Sequence, residues 1–264
     1  MTEKITTESF EMNYFRFGNG SKVIAVIPGV SVTSVMGAED QIAQSYAFLK
    51  DEFTVYVFDR RLNMPPVYTV SDMARDTAEA FMALGLKDVY IFGASQGGMI
   101  ALEIGIEYPD LVKKIAVGST TSDLSNARKD VFEEWKRLAE QKDRKGLYLA
   151  FGEKLYPRAL FEQFRDTLIA ASETATDEDL SRFIICLDGM KDFNIADRIK
   201  EIKCPVLVIG TYEDEVLDSD MTMQIAECLD EREDAELYLY KGYGHASFDT
   251  APDYTERLYR FFIK

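Results

Sequence analysis

One serine, one histidine and a group of carboxylates in this chain have the types and order that nucleophilic catalysis requires. In DVYIFGASQGGMIALEIG, residues 88 to 105, an apolar run breaks at Gly93-Ala94-Ser95-Gln96-Gly97-Gly98 before a helical pattern resumes. A Gly-x-Ser-x-Gly string is weak alone: with Gly and Ser each at about 7%, a chain this long holds one by chance roughly one time in ten. Context therefore decides. An apolar strand, 89–92, precedes the string and a helix, 98–108, follows it, the placement that lifts a serine hydroxyl clear of a sheet. Gly93, Gly97 and Gly98 permit the sharp turn, and the helix N-terminus favours negative charge developing nearby.

A serine hydroxyl is a poor nucleophile at neutral pH and needs a base. The chain has a single histidine, His245, in GYGHASFDTAPDY. A lone histidine is more often structural than catalytic, but this one falls between the last expected strand, 236–240, and the last helix, on a loop where the serine needs it. A third group should hold the imidazole tautomer and stabilise its charged form. The loop after PVLVIG offers Glu213, Asp214, Glu215 and Asp218. With one histidine, no Cys/His zinc site is expected, and neither metal nor organic cofactor is expected.

The elements that must position these groups alternate. KVIAVIPGV from Lys22 and FTVYVFDR, 53–60, read as buried strands, with helical spacing at 38–50 between them. A helix from Ser71, with Ser71 as N-cap, then strand VYIFG, helix GGMIALEIGIEYP and strand KKIAVGS repeat the pattern. Such alternation specifies an α/β fold, a mostly parallel sheet with helices on both faces. Helical patterns at 126–142, 144–156, 157–172 and 177–187 interrupt it with no convincing strand, and the sheet resumes at CPVLVIG. The expected division is a core of 1–119 and 204–264 with a helical cap at 120–203. Of the cap aromatics Trp135, Phe151, Tyr156, Phe161, Phe164 and Phe183, most are expected in the cap's own core.

The 264 residues, 47% hydrophobic and 12% aromatic, suit a globular domain that buries a full core. A formal charge of −16, from 46 acids against 30 bases, argues against a nucleic-acid partner and against anionic membranes. The N-terminal stretch lacks an apolar signal core, no run approaches the ~18 residues of a membrane span, and three widely spaced cysteines suit free thiols. The expectation is a cytoplasmic protein acting on a small-molecule substrate.

Through GASQGG at Gly93, PVLVIGTYEDEV at Pro205 and GHASFDTAPDY at Gly244, the chain resembles the α/β-hydrolase superfamily over nearly its full length. The segment YTVSDMARDTAEAFMALGLKDVYIFGASQGG is similar to the helix and strand that precede the family's nucleophile. The resemblance implies a Ser-Asp-His triad of Ser95, Asp214 and His245. It selects Asp214 by its spacing from the strand glycine and from Val216, with Glu213 next. It also implies an oxyanion hole from the backbone amides of Gln96 and Val30. Two departures stand out: the family's His-Gly pair appears as Pro28-Gly29, and FDRRLNMPP lacks the usual glycine-rich turn, which implies a differently shaped loop there. Arg60 and Arg61 read either as ligands for an acidic group or as structural ion pairs.

The expected reaction is hydrolysis of a small or medium carboxylic ester through an acyl-enzyme, a substrate class implied by the resemblance alone. Hydrolysis of a C–C bond in a diketone by the same triad, acyl transfer, peptidase activity and non-catalytic ligand binding are the alternatives. Since neutral imidazole is the working base, activity should fall as His245 becomes protonated.

Overall fold

In the computed structural model, which describes residues 1–125 and 127–264, eight strands form one sheet. They are β1 (Glu3–Thr6), β2 (Glu11–Phe17), β3 (Lys22–Ile27), β4 (Phe53–Arg61), β5 (Val89–Ala94), β6 (Val112–Gly118), β7 (Val206–Thr211) and β8 (Ala235–Tyr240). Their spatial order is β1-β2-β4-β3-β5-β6-β7-β8. The pairs β1/β2 and β2/β4 are antiparallel and all others parallel, so the sheet is mostly parallel. The chain runs outward from β3 to β4, then crosses to β5 on the other side of β3. Strand order thus reverses between β3 and β5, where a crevice opens at the strands' C-terminal ends.

Ten helices accompany the sheet among the described residues. They are α1 (Glu39–Ser45), α2 (Val70–Ala83), α3 (Gln96–Glu107), α4 (Lys129–Glu140), α5 (Arg144–Leu155), α6 (Arg158–Ser172), α7 (Asp177–Asp188), α8 (Ser219–Glu227), α9 (Ser247–Thr250) and α10 (Tyr254–Ile263). One core cluster joins Phe81 of α2, Ile100 of α3 and Ile225 of α8 to Ile91 and Val208 of the sheet. A second, on the opposite face, joins Tyr46, Leu258, Phe261 and Phe262 to Val57 and Phe92. The fully buried β5, VYIFGA, explains why its sequence is apolar throughout rather than alternating. Phe262 is 1% exposed, and truncating a side chain of this size at such a site costs about 3–5 kcal/mol.

Two helix boundaries differ from expectation. Helix α2 is capped by Thr69, not Ser71: Thr69 Oγ1 accepts from Asp72 N at 3.1 Å, and Asp72 Oδ2 accepts from Thr69 N at 3.1 Å. That reciprocal box satisfies two amides and starts the helix earlier than Ser71 would. The helix expected over 38–50 is broken into 3₁₀ turn Val35–Ala38, α1 and 3₁₀ turn Ala47–Leu49. The sequence pattern at 126–142 begins at Asn126, outside the described residues; its helix is described from Lys129. Helices α4 to α7 occupy the stretch between β6 and β7, whose ends are drawn together by a β-bridge between Asp123 and Asn194.

Candidate active site

Ser95 follows β5 at the reversal of strand order and is the N-cap of α3, with φ 52° and ψ −122°. A non-glycine residue in this region carries about 1–3 kcal/mol of strain and persists only when its surroundings hold it. Here Ser95 N donates to Gly118 O at 2.8 Å, while Ser95 O accepts from Gly98 N at 2.8 Å and Thr120 Oγ1 at 2.7 Å. Gly97 is required by close approach: a Cβ there would stand 1.9 Å from Ile27 O and 2.5 Å from Pro28 O. The loop after β3 therefore lies directly against the turn, and a Cβ on Gly29 would stand 3.7 Å from Ser95 Oγ.

Asp214 and His245 come from the loops after β7 and β8. His245 Nδ1 lies 2.9 Å from Asp214 Oδ1 and 2.8 Å from Oδ2, with both residues buried. Asp214 Oδ1 also accepts from Val216 N at 2.8 Å and Leu217 N at 2.9 Å, which fixes the carboxylate. On its other side the imidazole meets the Phe248 ring edge-on, centroids 6.2 Å apart. Glu213, the next choice from sequence, faces elsewhere: its Oε2 accepts from Gly242 N at 2.7 Å. The His245 loop is anchored to the helical insertion through Ala246 N, which donates to Leu155 O at 3.0 Å.

Ser95 and His245 line one cavity of ≈610 Å³ with Val30, whereas Asp214 stands behind the imidazole. No hydrogen bond joins Ser95 Oγ to His245 among the described residues, a separation common in free enzymes before substrate tightens the site. Gln96 opens α3, so its N–H belongs to the first turn, which has no intrahelical acceptor. Its side chain points away and is fully buried, donating to Cys186 O at 2.8 Å and accepting from Arg60 Nη2 at 3.1 Å.

That network settles how the arginines are used. Arg60 is buried and also donates from Nη2 to Pro28 O at 2.8 Å, so it ties the loop carrying Val30 to the residue that follows Ser95. Arg61 donates to Ser9 O at 2.8 Å and pairs with Asp76 at 3.4 Å. Neither arginine lines the cavity. The loop beyond them is held by Arg182 of α7, which donates to Arg61 O and Leu62 O, each at 3.1 Å.

The insertion supplies much of the cavity wall. Trp135, Phe151, Tyr156 and Phe164 line it, while Phe161 and Phe183 do not, so most of the six aromatics reach the cavity, contrary to the expectation from helical spacing. Helical periodicity identifies an apolar face but not which neighbour that face meets. Sequence reasoning also missed Asp249, an acid on the cavity wall one turn beyond His245. Its only signal was its position in SFDT directly after the sole histidine.

The sheet order, the strand–turn–helix at Ser95 and the paired Asp214 and His245 define an α/β hydrolase architecture. A model of the alpha/beta hydrolase fold family matches residues 27–252, and the chain belongs to that family. Among curated proteins it is 26% identical over 224 residues to one named "Putative carbamate hydrolase RutD" from Agrobacterium fabrum, covering 81% of this chain and 85% of the relative. Among solved structures, MGS-M2, an alpha/beta hydrolase enzyme from a Medee basin deep-sea metagenome library, superposes with a TM-score of 0.87 at 21% identity, covering 99% and 98% of the two chains. The enol-lactonase from Burkholderia xenovorans LB400 gives 0.84 at 15% identity, covering 99% of this chain and all of the other. The esterase EaEST from Exiguobacterium antarcticum gives 0.79 at 18% identity with full coverage of both. Among the described residues, no helix is long and apolar enough to cross a membrane.

Proposed function

We propose that this hydrolase cleaves a small or medium carboxylic ester through an acyl-enzyme on Ser95. His245 Nε2 takes the Ser95 proton as Oγ bonds to the carbonyl carbon, and the Val30 and Gln96 amides stabilise the oxyanion. Collapse of that intermediate expels the alcohol, which takes the proton from His245. Water then attacks the acyl-enzyme, gives its proton to His245, and the acid leaves as Ser95 recovers the proton. Asp214 orients the imidazole and stabilises its charged form throughout. Residues 120–203 act as a cap over a core of 1–119 and 204–264, and the free cysteines fit a protein working in the cytoplasm.

The observation that carries the reading is the buried Asp214–His245 contact at 2.8 Å beside a cavity that both His245 and Ser95 line. The test is an ester screen with Ser95→Ala as blank and fluorophosphonate labelling of the serine. Expected are a Ser95 adduct and turnover that falls by several orders of magnitude in Ser95→Ala. A wild-type protein that takes no label refutes the nucleophile; labelling with turnover of a diketone but of no ester refutes the substrate class. The relatives named for carbamate hydrolysis support a second reading in which the attacked carbonyl carries nitrogen, so carbamate esters belong in the screen.

A further inference from the structure

Asp249 belongs to the cavity, yet the acyl-transfer steps leave it without a task. It sits on α9, close behind His245, between the cavity-lining Phe248 and Thr250. Its N–H donates to Ala246 O at 3.0 Å, but its carboxylate has no hydrogen-bond or ion-pair partner among the described residues. The side chain is exposed and lines the cavity. Desolvation pushes the carboxyl up to about 6, with His245 acting in the opposite direction. Near neutral pH it is an anion with no partner among the described residues, on a largely apolar cavity wall.

What would pair with it follows from the rest of the wall. Among the described residues, no Lys or Arg lines the cavity, and Asp249 is the only carboxylate that does. The remaining lining is largely apolar and includes the rings of Tyr46, Trp135, Phe151, Tyr156 and Phe248. An anion among aromatic rings in a confined space attracts a cation twice over, through direct charge and through the ring quadrupoles. The chain's net charge of −16 draws cations towards the protein and disfavours anions.

We propose that Asp249 is a specificity-determining carboxylate that selects substrates carrying a cationic nitrogen, an alkylammonium on either the acyl or the alcohol part. The substrate side of this inference rests on the ester-hydrolase reading; the binding side does not. Other titratable groups acting around Asp249 are His245 on the same segment, Tyr46 after α1, Tyr156 at the end of α5 and Tyr254 at the start of α10. Burial, with Asp249 adding to it, raises all three phenols above their ordinary value, so they stay neutral across the useful pH range. His245, whenever it carries charge, repels a cation but not its neutral isostere, so the comparison with Asp249→Asn at pH 8, which leaves His245 in place, assigns the preference to Asp249.

Trp135, the chain's only tryptophan, lines the cavity, so its fluorescence reports occupancy without any turnover. Choline and its neutral carbon isostere 3,3-dimethyl-1-butanol form the matched pair. At pH 8 choline should bind at least about tenfold more tightly, and that ratio should approach one at pH 5 and in Asp249→Asn. Equal affinities in the wild type, binding of neither ligand, or a choline preference that survives Asp249→Asn would each overturn the inference. Two ester pairs locate the cation. Butyrylcholine against 3,3-dimethylbutyl butyrate places it on the alcohol, and p-nitrophenyl 4-(trimethylammonio)butanoate against p-nitrophenyl 5,5-dimethylhexanoate places it on the acyl chain. A kcat/KM preference of about tenfold in one pair, lost in Asp249→Asn, supports the assignment; no preference in either overturns its substrate side. If no ester is cleaved while the choline preference holds, the ester reading fails and the cation site stands. If neutral esters are cleaved without any Asp249-dependent preference, the reverse is true.

Discussion

Replacing Asp214 by Asn separates the orientation of His245 from the shape of the site. The carboxylate meets Nδ1 with both oxygens, at 2.9 and 2.8 Å, while Oδ1 also accepts from the Val216 and Leu217 amides. Asn can keep its single oxygen on those two amides, because rotating it towards the ring would set its NH₂ against two N–H donors. Its NH₂ then faces Nδ1, which must become the acceptor, and the imidazole proton moves to Nε2. In the proposed mechanism Nε2 takes the Ser95 proton, so the base would be lost with little change in geometry. In serine proteases with a Ser-His-Asp triad, the same change to the orienting acid lowers kcat about 10⁴-fold, or about 5.4 kcal/mol at 1.36 kcal/mol per decade. The assay is turnover of the best ester from the screen, with thermal unfolding and near-UV circular dichroism to verify the fold. Glu213→Gln is the control: it alters a neighbouring carboxylate bonded to Gly242 N rather than to His245, and its loss should remain below about tenfold. An Asp214→Asn enzyme within tenfold of wild type, or a Glu213→Gln enzyme equally impaired, refutes the assignment.

Further outcomes follow from the groups around the triad. Arg60→Lys removes the guanidinium nitrogen that bonds both Pro28 O and Gln96 Oε1, so the two proposed oxyanion amides should lose their mutual placement. A displacement of about 1 Å there costs up to about 100-fold, expected in kcat with KM little changed, and steady-state kinetics on the same ester measure the split. Asp249→Asn should raise the Tm at pH 8. The carboxyl is lifted from the ordinary 3.8 to about 6, so the stability linked to its neutral form is complete below about pH 4 and is lost as pH rises through about 6. That shift corresponds to at most about 3 kcal/mol; screening by water in the cavity reduces it to about 1 kcal/mol, or roughly 2–4 °C. Calorimetry at pH 8 and pH 4 checks it: the gain should be present at the first and absent at the second.

The parallel core was legible because its strands are buried on both faces and read as unbroken apolar runs, as VYIFGA does. The N-terminal β1 and β2 were not, since EKIT and EMNYFRF interleave polar residues on an edge where pairing with β4 fixes the structure. In the loop after β7, residue type alone left four carboxylates open, and only the family's spacing pointed to Asp214. In three dimensions Asp214 reaches back to His245 while Glu213 reaches Gly242, a distinction that loop curvature makes and composition does not carry. Arg60 was ambiguous for a similar reason. A charged side chain following an apolar strand can reach a ligand or fold inward, and its burial depends on the carbonyl of Pro28, 32 residues away.

Two unusual features, the backbone of Ser95 and the unpaired carboxylate of Asp249, meet on one cavity. Ser95 takes a backbone conformation that costs about 1–3 kcal/mol, held by bonds from Gly98, Thr120 and to Gly118. Asp249 carries a carboxylate with no hydrogen-bond or ion-pair partner among the described residues. Loops after β3, β5, β7 and β8 carry the proposed triad and the proposed oxyanion amides, whereas α4 to α6 and the α9 turn contribute to the wall around them. The proposed catalytic groups are therefore carried by loops at the sheet's edge, and the wall around them is shared between the sheet side and helices α4 to α6. Arg60 lies at the junction, joining β4 to the oxyanion loop and, through Gln96, to the Cys186 carbonyl of α7. A change in the insertion can consequently reach the site through this path, as it can through the Ala246 N to Leu155 O bond at the His245 loop, without displacing a strand.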